Sequence, residues 1–239
     1  MEVCAFMSGI FYGIGVGPGD PELLTMKAIH AIETVDVLIA PKTEKKDGSV
    51  ALSIAKPYLK TDVEIVYQVF PMIKGFAENN TDAWEENKQE ILDLLKAGKN
   101  VAFLTLGDPM FYSTYIYVYR LLEHESVDIR TIPGIPAFAA IGSQLGCPIV
   151  EGDDVLTIIP ATAKPAKVKQ AMQAADNVVL MKVYKNFDEV TDMLVENDMS
   201  DQAVLVSRAG LDDERIIRDL SAHKGEKLNY LSTILTRKR

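Results

Sequence analysis

Apolar runs and amphipathic runs alternate almost from one end of this chain to the other, and that alternation restricts the available folds more than any other feature. Strand-like runs at 10–16, 37–40, 63–69, 101–106, 127–132, 155–159, 178–183, 203–207 and 228–236 are separated by helical patterns at 21–34, 50–58, 79–97, 112–123, 165–174 and 187–197. Within 21–34, Leu24, Ala28, Ala31 and Ile32, with Val35 just beyond, return to one face at the helical period. The 79–97 pattern ends at Gly98, a normal helix stop. Strands that alternate with helices predict an α/β fold with mostly parallel pairing. The 239 residues suit one large domain or two of about 100–130. No repeat, low-complexity tract or long linker interrupts them. The break is placed near residue 120, giving an N-terminal α/β domain over 10–119 and a C-terminal α/β domain over 120–239.

Composition removes several function classes. The net charge of −9 argues against general nucleic-acid binding, which favours basic surfaces. An anionic small substrate remains open, provided a local basic pocket exists. No apolar run reaches the roughly 18 residues of a membrane span. Residues 1–10 lack the basic leader of a signal peptide, so a cytoplasmic protein is expected, with Met7 as a second candidate start. Cys4 and Cys147 are in no Cys-x-x-Cys spacing, and His30, His124 and His223 are far apart, so no protein-made metal site is expected.

Five segments at strand ends carry candidate chemistry. Gly13-Ile14-Gly15-Val16-Gly17-Pro18-Gly19-Asp20-Pro21 joins the first strand to the first helix. It fails the dinucleotide fingerprint, because Pro18 or Asp20 falls where the third glycine belongs, and no Gly-Lys-Ser/Thr follows for a phosphate loop. Asp20 reads as an N-cap with Pro21 at the first helical position, so the loop suits a ligand without pyrophosphate or is a plain tight turn. Leu104-Thr105-Leu106-Gly107-Asp108-Pro109-Met110-Phe111-Tyr112-Ser113-Thr114 ends a buried strand, where open α/β sheets bind ligands. Asp108 there is a contact for hydroxyl or amine donors, a helix N-cap, or both, and Phe111 with Tyr112 can wall an aromatic ring. Pro133-Gly134-Ile135-Pro136-Ala137 opens a helix with small residues at 137, 139, 140 and 142, consistent with close helix–sheet packing. Lys182 sits inside the apolar 178–183 pattern, where it must snorkel to water or meet an anion. Arg208 lies in a 206–214 segment that reads as a charged surface turn or a ligand contact.

The glycine loop followed by Pro-Glu-Leu-Leu-Thr, the mid-chain Gly-Asp-Pro and the later Pro-Gly-Ile, in that order, resemble the tetrapyrrole methylase family over about 10–239. Phe70-Pro71-Met72, Tyr112-Ser113-Thr114-Tyr115, Pro160-Ala161-Thr162 and Leu180-Met181-Lys182-Val183 are similar to its precorrin-2 C20-methyltransferase branch, which includes enzymes acting on cobalt-factor II. Uroporphyrinogen methylases of the family carry a functional aspartate after the second strand, where this chain has Ala40-Pro41, which argues against that branch.

The resemblance implies two α/β domains with the active site in the inter-domain cleft, a homodimer, and S-adenosylmethionine as cofactor. It assigns cofactor contacts to Pro18, Leu106, Gly107, Asp108, Phe111, Pro136, Ala137, Met181 and Ala209, with Ser232 or Thr233 as a weaker candidate. A nucleophilic carbon of a tetrapyrrole substrate takes the methyl group, and a proton then leaves the methylated carbon. Asp108, Tyr112 and Tyr230 are the candidate acceptors, while Lys182 and Arg208 would pair with substrate carboxylates. The other readings are a precorrin-3B or precorrin-4 type methylase, a diphthine synthase, a non-catalytic nucleoside- or tetrapyrrole-binding module, and a nicotinamide oxidoreductase, the last disfavoured by the broken glycine spacing.

Overall fold

The structure, a computed structural model, describes residues 8–42, 48–71 and 81–238. Met7 and Met72, singled out in the sequence, lie outside them. By contact the chain divides into two units, Met1–Pro136 and Ala137–Arg239.

The first unit is built on a five-stranded sheet in the order β3-β2-β4-β1-β5, with every pairing parallel. Its elements in chain order are β1 (Ile10–Gly15), α1 (Met26–Thr34), β2 (Val37–Lys42), α2 (Val50–Ala55), β3 (Glu64–Val69), α3 (Thr81–Lys96), β4 (Val101–Thr105), α4 (Tyr115–Leu122) and β5 (Asp128–Ile132). One face carries Phe11, Val37, Ile39, Val101 and Phe103, which pack on Ile91, Leu92 and Leu95 of α3 and Tyr115, Val118 and Leu122 of α4. Period-two alternation sends Leu38, Ala102 and Leu104 to the opposite face, and these are buried too. Burial on both faces explains why these strands read as continuous apolar runs.

The single helix expected over 21–34 is two pieces. Asp20 accepts the Glu22 amide at 2.8 Å and caps a short 3₁₀ turn at Pro21–Leu23; Thr25 then accepts the Ala28 amide at 3.1 Å and starts α1. Two good capping residues five positions apart make the chain stop and restart. The division between units falls after Pro136 and not near 120, because β5 pairs along β1 from Ile10↔Asp128 to Ile14↔Ile132 and therefore belongs to the first sheet.

The second unit contains α5 (Ala137–Leu145), β6 (Leu156–Pro160), α6 (Pro165–Ala174), β7 (Asn177–Met181), α7 (Phe187–Glu196), β8 (Val204–Ser207), β9 (Arg215–Ile217) and β10 (Ser232–Arg237). Its sheet order is β6-β7-β10-β8-β9. The expectation of mostly parallel pairing is not met here. Only β6 and β7 run parallel; β10 is antiparallel to both β7 and β8, and β8 is antiparallel to β9. On one face α6 and α7 bury Val168, Met172, Phe187, Val190 and Leu194 against Val178, Leu180, Leu205 and Ile234. On the other, α5 sets Ile141 against Val179, Val204, Val206 and Leu235. The small residue Gly142 is needed less for the sheet than for the chain's return. A Cβ there would stand 2.8 Å from Cγ1 of Ile149 and 3.0 Å from the Cys147 carbonyl. Among the described residues no helix is long and apolar enough to cross a membrane.

Candidate functional site

In the first unit, three backbone segments converge at the carboxyl ends of β1, β4 and β5. Gly17 and Gly107, both at positive φ (77° and 71°), form an isolated antiparallel bridge: the Gly107 amide donates to the Gly17 carbonyl at 2.7 Å, and the Gly17 amide returns the bond at 3.3 Å. Gly134 joins them. A Cβ on Gly15 would lie 2.5 Å from the Gly134 nitrogen and 2.6 Å from the Gly107 carbonyl, and a Cβ on Gly134 would overlap that same carbonyl oxygen. The glycines of the first loop therefore serve close backbone approach, which accounts for a spacing that fits no dinucleotide fingerprint.

Asp108 closes this knot. Its Oδ1 accepts the Met110 amide at 2.8 Å and its Oδ2 accepts the Gly134 amide at 3.0 Å. It caps a bend and not a helix, since α4 begins only at Tyr115. One lone pair on each carboxylate oxygen is engaged by backbone, and the remaining ones are the acceptors left for a ligand. Leu106, Pro18 and Phe111 flank the same loops; Pro18 is buried, while Leu106 and Phe111 are partly buried. A Cβ on Gly107 would come within 3.8 Å of Cα of Pro136, so Pro136 belongs to this group. The Thr105 hydroxyl, one residue before the loop, is buried without a hydrogen-bond partner.

Tyr112 is exposed, sits at φ 50° and meets the Phe111 ring edge-on at 5.0 Å between centroids. Three residues on, Tyr115 is fully buried. Its ring fills the space over Gly13, where a Cβ would overlap it, and its hydroxyl bonds Thr131 Oγ1 of β5 at 2.7 Å. Burial pushes the Tyr115 phenol above its usual pKa, so the hydroxyl stays neutral. The sequence grouped Tyr115 with Tyr112 by motif; only the contact with Gly13 shows that it anchors the loop.

In the second unit the candidates gather at the carboxyl ends of β7 and β8, on either side of β10. Thr233 pairs with both Met181 and Val206, and Ser232 with Ser207. Met181, Ala209 and Ala137 join one apolar cluster beneath α5. Ser232 Oγ lies 3.0 Å from Ser207 Oγ and donates to the Asn229 carbonyl at 2.7 Å. Ser232 and Thr233 are both buried.

Lys182 is not inside a strand. β7 ends at Met181, and Lys182 turns out of the ladder at φ 59°, which resolves the cost of a lysine in an apolar run. Its Nζ lies 5.5 Å from the centroid of the Tyr230 ring. Arg208 leaves β8 in the same way, at φ 57°, and its Nε donates to Asp213. That bond, together with the guanidinium charge, holds the Asp213 carboxyl below the usual carboxylate range. The 206–214 charge run is folded on itself: Glu214 accepts the Gly210 amide and the Gln144 side chain, each at 2.7 Å, and β9 follows immediately, a strand absent from the sequence expectation. Of the four non-glycine residues at positive φ among those described, Tyr112, Lys182 and Arg208 are all site candidates. Backbone strain of this kind collects at functional sites.

Residues 11–223 match the model of the family described as Tetrapyrrole (Corrin/Porphyrin) Methylases. The chain is 35% identical over 97% of its length to the cobalt-precorrin-2 C(20)-methyltransferase of Salmonella typhimurium, covering 98% of that protein. It is 31% identical to the precorrin-2 C(20)-methyltransferase of a Sinorhizobium species, covering 96% of this chain and 97% of that one. In fold it is similar to a cobalt precorrin-4 methyltransferase (TM-score 0.73, 22% identity, 99% of this chain and 98% of that one). It is also similar to a Thermus thermophilus uroporphyrin-III C-methyl transferase complexed with S-adenyl homocysteine (TM-score 0.68, 20% identity, 95% and 97% covered).

Proposed function

Because the chain belongs to the tetrapyrrole methylase family, whose members are methyltransferases, we propose that it transfers a methyl group from S-adenosylmethionine to C20 of precorrin-2 or cobalt-factor II in corrin biosynthesis. The observation that carries this reading is the 35% identity, over nearly the whole of both chains, to a protein named for that reaction. The same reading carries a homodimer and a cytoplasmic location as further proposals.

The residues present suit S-adenosylmethionine. The Gly17–Gly107–Gly134 knot draws three strand-end loops together without a phosphate-binding helix end, and the acidic cap Asp20 matches a cofactor that bears a sulfonium and no pyrophosphate. Pro18, Leu106, Gly107, Asp108, Phe111 and Pro136 of the first unit would hold it, with Ala137, Met181 and Ala209 of the second supplying apolar contacts. When bound, the cofactor supplies an electrophilic methyl group on a good leaving group. The chain's share is to orient the reacting carbon and exclude water.

Lys182 and Arg208 take the substrate's carboxylates. Arg208 gives one donor to Asp213 and keeps its two terminal nitrogens for a second carboxylate. The proton leaving the methylated carbon passes to Asp108, Tyr112 or Tyr230. A tyrosine takes that proton only as its tyrosinate, whereas each Asp108 oxygen keeps a lone pair beside the amide bond it accepts.

The test is to incubate purified protein with S-adenosylmethionine and precorrin-2, with and without cobalt, and to follow product mass and methyl position. One added CH₂ at C20 is the expected result. A methyl at another carbon points to the precorrin-3B or precorrin-4 type, and cofactor binding without turnover on any corrin intermediate points to a non-catalytic module.

Strain at Lys182 gives a second expectation. Lys182→Gly relieves the left-handed conformation, worth about 1 kcal/mol, while deleting the cation. Thermal melting at an unchanged or slightly higher temperature, with substrate KM raised roughly tenfold, is the expected pair of results. A clearly lower melting temperature would show that Lys182 is needed for packing.

A further inference from the structure

The segments that follow β7 and precede β10 hold two cations with a pair of rings between them, all within the second unit. Lys182 Nζ lies 5.5 Å from the Tyr230 centroid, the Tyr230 and Tyr184 rings meet edge-on at 5.2 Å, and Lys185 Nζ lies 5.3 Å from the Tyr184 centroid. The backbone beneath is fixed. Val183, fully buried, donates its amide to the Ser232 carbonyl at 3.0 Å, and the Asn186 side chain donates to the Ala161 carbonyl at 3.0 Å. Tyr184 and Tyr230 are partly buried and Lys185 is exposed.

Several lysines of this acidic chain sit on carboxylates, and Lys42 lies over the Tyr67 ring at 5.5 Å. Lys88 pairs with Glu125 at 2.8 Å, Lys99 with Glu64 at 2.6 Å, Lys169 with Glu196 at 2.8 Å and Lys224 with Asp192 at 2.6 Å. Lys185 instead rests on a π face, with no carboxylate partner among the described residues. A ring orients an ammonium without neutralising it, so an incoming carboxylate need not displace an internal acid first. Lys182 and Lys185, separated by the aromatic pair, present positive charge and flat apolar surface together.

We propose that Tyr184 and Lys185 extend the Lys182–Tyr230 contact into a recognition platform for a flat macrocycle bearing several carboxylates, with Lys185 taking a peripheral carboxylate and the Tyr184 ring contacting the macrocycle edge. This rests on the tetrapyrrole reading above and adds the residues that distinguish a polycarboxylate ring from one with few acids. Their role is in binding, and the methyl transfer itself does not involve them.

The test uses the full-length protein, two porphyrin probes carrying eight and two carboxylates, and fluorescence quenching to measure affinity. S-adenosylmethionine binding is measured in parallel. Lys185→Ala is expected to weaken the eight-carboxylate probe about fivefold, to weaken the two-carboxylate probe less, and to flatten the salt dependence. Lys185→Arg and Tyr184→Phe should retain wild-type affinity, and Tyr184→Leu should not. Cofactor binding should be unchanged throughout. Equal affinity of wild type and Lys185→Ala for the eight-carboxylate probe overturns the platform while leaving the tetrapyrrole reading intact. Failure of wild type to bind either porphyrin, with cofactor still bound, overturns both.

Discussion

Gly134→Ala is expected to lower the melting temperature by roughly 10 °C and to abolish measurable S-adenosylmethionine binding. The added methyl group would occupy the position of the Gly107 carbonyl oxygen, and that oxygen accepts the Gly17 amide. Neither neighbour is a flexible side chain, so backbone must move. Overpacking against fixed backbone costs about 3 kcal/mol, which for a chain of this size corresponds to the stated shift. The same movement breaks the Gly134 amide bond to Asp108 and so loosens the loop that carries Phe111 and Tyr112. Calorimetry and equilibrium binding of the cofactor check the two parts separately. A folded, stable variant with intact cofactor affinity would show that the three-loop knot is dispensable.

The second large effect is at Tyr115. Tyr115→Ala empties the space over Gly13 and exposes a cavity among Phe11, Phe103 and Tyr119, at a cost of about 3–5 kcal/mol. Tyr115→Phe keeps the ring but leaves the Thr131 hydroxyl without its partner, costing about 1–2 kcal/mol. The decisive comparison is with Gly13→Ala. Alone it should destabilise by about 3 kcal/mol, because the new methyl overlaps the Tyr115 ring. Combined with Tyr115→Ala it should add almost nothing, because the space it needs has been cleared. Denaturant unfolding of the two single variants and the double variant measures this coupling, and simple additivity would show that Gly13 is small for another reason.

The first sheet was legible because burial on both faces writes long apolar runs into the sequence, and α3 and β4 come out within two residues of their expected bounds. The second sheet was less so. Strand direction depends on where a loop lets the chain turn, and nothing in residues 228–236 encodes that β10 runs against both its neighbours. β9 has three residues, two of them exposed, too few to show a period of two. Among the candidate site residues, Asp108 was picked by its motif, but whether it caps a helix or ties two loops depends on Gly134, which is far away in sequence. Lys182 and Arg208 were picked for charge in an apolar context. Their left-handed backbone was not readable, since no glycine or asparagine advertises it. Tyr184 and Lys185 carried no sequence signal, because their relation to Tyr230 exists only once β7 and β10 are paired.

The position of β10 has a consequence for how the two units are made. All five strands of the first sheet are encoded by Ile132, so that unit can complete its hydrogen-bond ladders while the second is still being synthesised. The second sheet has its last strand in the middle, between β7 and β8. Until Ser232–Arg237 emerges, β7 and β8 have no partner between them and expose Val179, Val206 and Leu205 as open edges. The leading unit can be sealed while the trailing one stays adhesive and protease-sensitive until Ser232–Arg237 arrives, so a stop codon shortly before residue 232 would release a protein with a sound first unit and a second unit that never closes.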